Sequence, residues 1–230
     1  MFQKNKDNDT VKKILLNMLL ATASLFVNGF GVYLTIQANI GASPWDVLNL
    51  GLSNTFGILY GTAAIIVSFS ILGIDILMKE PIGIAMIIDS IVVGKTVDLF
   101  NRINLVDKCD SLFKAIPMMI LGLFIMGYTQ YTYMSASLGC GPRDTLLIGL
   151  TRRIKRVSIG VVSIMLLATA TLVGWLLGGP VGIGTIICAF GMGPIMQFAF
   201  FTVKFNATEI RHQTIIESYK VITNGRKQGE

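Results

Sequence analysis

Charge is scarce in this sequence. Asp, Glu, Lys and Arg make up 14% of its 230 residues, against about 25% in a soluble domain. Histidine occurs once, as His212, and the cysteines Cys109, Cys140 and Cys188 are odd in number and far apart. With no Cys-x-x-Cys, neither a structural zinc site nor a disulfide framework is expected. Also missing are a Gly-x-x-x-x-Gly-Lys phosphate loop and any nucleophile, base and orienting residue in recognisable order. These absences argue against an ATPase, a hydrolase, or an enzyme of any kind, and imply no cofactor or bound metal.

What is abundant is apolar. Hydrophobic residues reach 53% and the mean hydropathy is +0.67. A soluble fold of this length could not hide so much apolar surface, so the expected solvent is a lipid bilayer. The net charge of +6 gathers at Lys4, Lys6, Lys12 and Lys13, at Arg152-Arg153-Ile154-Lys155-Arg156, and in the tail. Such clusters read as the cytosolic side of a multi-pass plasma-membrane protein, with both termini inside. Nucleic acid is not expected, because no aromatic or base-reading residues accompany them.

One stretch occurs twice. Gly41-Ala42-Ser43-Pro44-Trp45-Asp46-Val47-Leu48-Asn49-Leu50-Gly51-Leu52 returns as Gly139-Cys140-Gly141-Pro142-Arg143-Asp144-Thr145-Leu146-Leu147-Ile148-Gly149-Leu150, identical at six of twelve positions. Further on, Pro81-Ile82-Gly83-Ile84 matches Pro180-Val181-Gly182-Ile183. The chain therefore reads as two internal repeats. A segment 1–13 precedes the first repeat at 14–100, a polar connection spans 101–114, the second repeat covers 115–203, and a tail follows at 204–230. Each repeat is a span, a Gly-Pro break, a short helix and two more spans.

The short helices begin at the prolines and have room for about 13 residues, or about 20 Å, short of a ~30 Å hydrocarbon core. If they do not cross, there are six spans and the second repeat is inverted; if they do, there are eight spans and the repeats are parallel. Helix length favours six, because polar helix ends cannot face lipid. The expected fold is thus an all-α membrane protein of six transmembrane helices and two half-helices.

Ionisable residues at membrane depth need partners, water or a role. Asp46 and Asp144 fall third in the short helices. A carboxylate there can cap the helix start, and it can equally face a cavity formed where two half-helices meet. Arg143 replaces Trp45 of the first copy and is expected to neutralise an aspartate or clamp an acidic group on a ligand. Asp89, in the third span, either faces the cavity or packs between helices. Asn28, Gln37 and Gln130 suit interhelical hydrogen bonds or ligand contacts; Asn49 completes the candidate substrate-binding set. Lys95 and Asp98, three apart, are expected to pair, and Asp75, a turn from Lys79, to reach the interface.

The segments Gly41 to Leu48, Gly51-Leu52-Ser53 and Pro180-Val181-Gly182-Ile183-Gly184-Thr185 resemble the YitT/YczE group of bacterial integral membrane proteins. The likeness covers most of residues 20–205 and implies a bacterial plasma-membrane protein, without supplying a substrate. The expected function is a transporter or solute-binding membrane component for a small polar solute, with an energising or regulatory protein as a possible partner. The alternative is a non-transporting accessory protein acting through its basic cytosolic loop.

Overall fold

The computed structural model describes residues 2–139, 141–154 and 157–205. Cys140, Lys155, Arg156, the tail from 206 onward and the side chains of residues 1–13 lie outside the described residues. Among the described residues the fold is all-helical: α1 (Phe2–Gln37), α2 (Pro44–Phe56), α3 (Tyr60–Leu77), α4 (Ile84–Ile103), α5 (Leu112–Ser135), α6 (Pro142–Arg153), α7 (Ile159–Leu176) and α8 (Ile183–Thr202).

Among the described residues, five stretches are long and apolar enough to cross a membrane: Ile14–Gln37 of α1, and helices α3, α5, α7 and α8. Helix α4 has 20 residues but carries Asp89, Lys95, Asp98 and Arg102. Leu77, Phe113 and Phe201 are each more than four-fifths exposed, an outward face suited to lipid rather than water.

Helices α1 and α5 form the central pair. Helix α4 packs on α1, α8 on α5, α2 on α7, and α3 on both α4 and α6. Ile14 clusters with Ala85 and Ala136, Asn17 Nδ2 donates to Ala136 O at 3.1 Å, and Tyr131 meets Phe205 edge-on. One end of the bundle therefore gathers the apolar start of α1, the α3–α4 turn, the end of α5 and the end of α8. At the opposite end, Cys109 N donates to Gln37 O at 2.9 Å, and Tyr33 Oη donates to Val106 O at 2.8 Å. The connection after α4 is thereby fastened to the end of α1.

Proline and glycine set the short helices. Pro44 and Pro142 open α2 and α6 as first-turn residues, where a missing N–H costs nothing. Helix α2 has 13 residues and α6 has 12. Each begins and ends beside a single interhelical turn. For α2 this is the α7–α8 turn: Ala42 N donates to Pro180 O at 3.1 Å, Asn54 Nδ2 to Gly178 O at 3.0 Å and Thr55 Oγ1 to Leu177 O at 2.8 Å. For α6 it is the α3–α4 turn: Leu138 O accepts from Ala85 N at 3.2 Å, while Arg152 and Arg153 pair with Glu80 at 3.1 and 2.9 Å.

The seats require glycine. A Cβ on Gly83 would fall 2.3 Å from Leu138 O, and one on Gly182 would fall 2.5 Å from Ile40 O. The same backbone approach is made at both breaks, since Ile40 O accepts from Gly184 N at 2.7 Å where Leu138 O accepts from Ala85 N.

Two expectations are corrected. Lys95 does not pair with Asp98; the ion pairs among the described residues are those of Glu80. Asp98 Oδ1 instead accepts from Gly61 N at 2.8 Å in the first turn of α3, where free N–H groups and the helix dipole draw a carboxylate. Asp75 does not reach an interface: it is fully buried and neither carboxyl oxygen has a hydrogen-bond partner among the described residues.

These contacts generate two predictions for thermal unfolding of the purified protein. Gly83→Ala, whose methyl meets backbone, should destabilise by several kcal/mol, while Gly73→Ala, with nothing within 4 Å, should be neutral or stabilising by up to about 1 kcal/mol. Asp75→Leu should raise stability by about 1–4 kcal/mol, because an apolar side chain of similar size removes an uncompensated buried polar group.

Candidate functional site

The two breaks open onto one cavity of about 430 Å³ to which all eight helices contribute. Its lining holds Ser43 to Asp46 from the first break and Gly141, Arg143 and Asp144 from the second. The breaks meet where the Arg143 guanidinium carbon lies 5.1 Å from the centre of the Trp45 ring. This is cation–π distance. The two positions that differ most between the repeated stretches are thus the ones that touch.

The two matched aspartates have different surroundings. Asp46 is 3% exposed. Its Oδ2 accepts from Ser43 Oγ at 2.5 Å and its Oδ1 from Tyr60 Oη at 2.7 Å. Asn49, fully buried behind it, points its amide at Asp46 Oδ1 and Tyr60 Oη at 3.5 and 3.4 Å. Asp46 therefore fixes the entry of α2 by holding the N-cap hydroxyl and the first residue of α3. It does not cap backbone N–H groups, as a capping box would.

Asp144 faces the cavity, with one hydrogen bond at 3.4 Å from Gln130 Nε2. Gly141, the N-cap of α6, has no side chain to hold it. Asp89, from the second turn of α4, points to the same place. A Cβ built on Gly141 would lie 3.1 Å from Asp89 Oδ2 and 3.7 Å from Asp144 Oδ2. Arg143 forms no ion pair with either carboxylate; among the described residues only Arg152 and Arg153 form ion pairs.

Of the residues expected at the site, Asp46, Asp144, Arg143, Trp45, Asp89, Asn28 and Gln130 line the cavity. Asn28 also donates to Thr129 Oγ1 at 3.0 Å, tying α1 to α5. Asn49 and Gln37 do not line it. Asn49 is sealed behind Asp46, and Gln37 donates to Asn101 Oδ1 at 3.2 Å at the far end of α1.

A family model described as "Family of unknown function (DUF6198)" matches residues 15–200. The chain belongs to this family. It is 31% identical to the "Uncharacterized membrane protein YczE" of Bacillus subtilis over 194 residues, 82% of this chain and 87% of that one. It is also 29% identical to an "Uncharacterized protein" of Haemophilus influenzae over 175 residues, 76% and 79% of the two chains. Bacillus subtilis "Uncharacterized protein YyaS" is 27% identical over 177 residues, 73% and 85% of the two. No solved structure matches. The DUF6198 match, the membrane-protein relative and the apolar helices together make this a multi-pass membrane protein.

Two site residues of this DUF6198 protein carried no signal in the repeat. Tyr60 has Ser158 at the matching position, so nothing in the pattern tied it to Asp46. Gly141 aligns with Ser43, and what matters there is the absent side chain.

The Asp46 network predicts an asymmetric response to mutation. Tyr60→Phe leaves a buried carboxylate oxygen with only the 3.5 Å amide and should cost about 1–3 kcal/mol, read as a lower unfolding temperature. Gln130→Ala, on the open side, should leave that temperature unchanged.

Proposed function

We propose that this chain is a plasma-membrane transporter, or the solute-binding membrane component of one, whose small polar solute sits in the cavity between the two breaks. The observation that carries this reading is the shared cavity: the first turns of α2 and α6, from the two halves of the chain, face one space with four charged side chains. Charged groups at membrane depth that line a hollow are the usual mark of a solute path, and half-helix starts recur at such sites.

The same reading holds six crossings in two inverted repeats. Support comes from α2 and α6, each of which starts and finishes beside one turn, at opposite ends of the bundle. Helix α4 is then a crossing, its charges directed to the cavity through Asp89 and to the start of α3 through Asp98. The end that gathers the start of α1, Lys79, Arg152 and Arg153 is the cytosolic one by the positive-inside rule.

The accessory reading rests on the basic loop at 152–156, of which Lys155 and Arg156 lie outside the described residues. Arg152 and Arg153 are paired with Glu80, and Arg153 Nη1 also donates to Gly149 O at 3.0 Å. Those side chains hold the end of α6 in place.

Proteoliposomes offered a mixture of labelled small polar solutes test the proposal. Uptake above empty vesicles is expected, falling about tenfold or more in Asp144→Asn with the unfolding temperature preserved. No uptake above empty vesicles, or uptake indifferent to Asp144→Asn, rejects it.

A further inference from the structure

The cavity's charges do not balance. Asp46, Asp89 and Asp144 face it against Arg143 alone. The hydroxyls of Ser43 and Tyr60 engage Asp46. Asp89 accepts no hydrogen bond among the described residues, and Asp144 accepts only the long one from Gln130. Arg143 is stacked on Trp45 and ion-pairs with neither. Two carboxylates therefore converge on Gly141, 3.1 and 3.7 Å from where its Cβ would be, with no ion-pair partner among the described residues.

Taking this cavity as the solute site, we propose that its ligand is an amphipathic organic cation, an amine whose ammonium sits between Asp89 and Asp144 above Gly141. An ammonium offers three donors to carboxylates that lack them. An anion would meet two like charges, and a neutral solute would offer neither carboxylate a countercharge.

The rest of the lining sets the body of the ligand. Leu25, Val32, Leu123, Met126, Leu166 and Met192 form apolar walls. A cavity of about 430 Å³ falls in the range for whole small molecules and far exceeds a bare ion. No group of three or more His, Cys, Asp or Glu among the described residues has metal-holding geometry.

Gly141 supplies the decisive variant. Its backbone, at φ −65° and ψ 158°, is one alanine adopts freely. The added methyl would occupy the ammonium's seat, against the mobile ends of two side chains rather than backbone.

The test titrates the full-length protein in nanodiscs with n-hexylammonium chloride, sodium hexanoate and 1-hexanol by calorimetry, with heats to empty nanodiscs subtracted. The alkyl chain is common to all three, so only the head group differs. Saturable binding of hexylammonium alone is expected, weakened about tenfold or more by Gly141→Ala and by Asp89→Asn. Asp89→Asn keeps the test valid if the alanine variant fails to fold.

Hexanoate or hexanol binding as tightly as the amine, with loss in Gly141→Ala, overturns the cation assignment and leaves the cavity as the solute site. Amine binding unchanged in both variants, or no saturable binding of any probe, overturns the seat itself. The proteoliposome uptake experiment, made with other solutes, decides separately whether the cavity carries transport.

Discussion

A chain that breaks between helices frees backbone groups that an apolar surrounding cannot satisfy, and this chain breaks before two short helices, α2 and α6. Each unbonded N–H or C=O in hydrocarbon costs several kcal/mol, so a break survives only where protein supplies the missing partners. Here the partners are other backbones. Ile40 O receives Gly184 N, Ala42 N gives to Pro180 O, and Leu138 O receives Ala85 N. Each break is seated on the start of a helix from the other half of the chain. These crossed bonds tie the two halves of the chain to each other at both breaks.

Those crossed bonds also explain the glycines. Backbone can meet backbone only where no Cβ intervenes, and Gly83 and Gly182 are where the approach is closest. Once the seats are fixed, the first turns of α2 and α6 are aimed at each other across the bundle, and the hollow between them follows from geometry. The cavity is thus what remains after the backbone of each break has been satisfied, and its lining is whatever side chains those turns carry.

Much of this is legible in the sequence. The repeated Gly-x-x-Pro-x-Asp stretch located both short helices within a residue or two, because proline and glycine act through the backbone whatever surrounds them. It placed Trp45, Arg143, Asp46 and Asp144 at one cavity. Side-chain partners were less legible. Lys95 and Asp98 satisfy the helical spacing for an ion pair, but spacing along one helix says nothing of the start of α3, where Gly61 N–H competes for the same carboxylate. Gln37 and Asn49 look like Asn28 and Gln130 in sequence. Which of them faces a hollow depends on helix rotation in the packed bundle, and hydropathy in lipid fixes rotation only loosely. Tyr60 lies outside the repeated stretch, so its bond to Asp46 was invisible to the comparison of copies.

The two halves differ most where chemistry would need them to. In the first break a serine hydroxyl and a tyrosine hydroxyl consume the aspartate, leaving a rigid, satisfied turn. In the second, glycine stands in place of the serine and Ser158 in place of the tyrosine, so the matched aspartate is left facing open space. Across α4 and α8 the asymmetry continues, with Asp89 beside the second break and Cys188 at its counterpart. Loss of two hydroxyl donors and gain of one acid turn the same backbone motif from a fastened turn into an electronegative one. Had both breaks kept the first arrangement, both matched aspartates would be held by hydroxyls and neither would be open to the hollow. It is the unsatisfied copy, held in position by the satisfied one, that gives the cavity a sign.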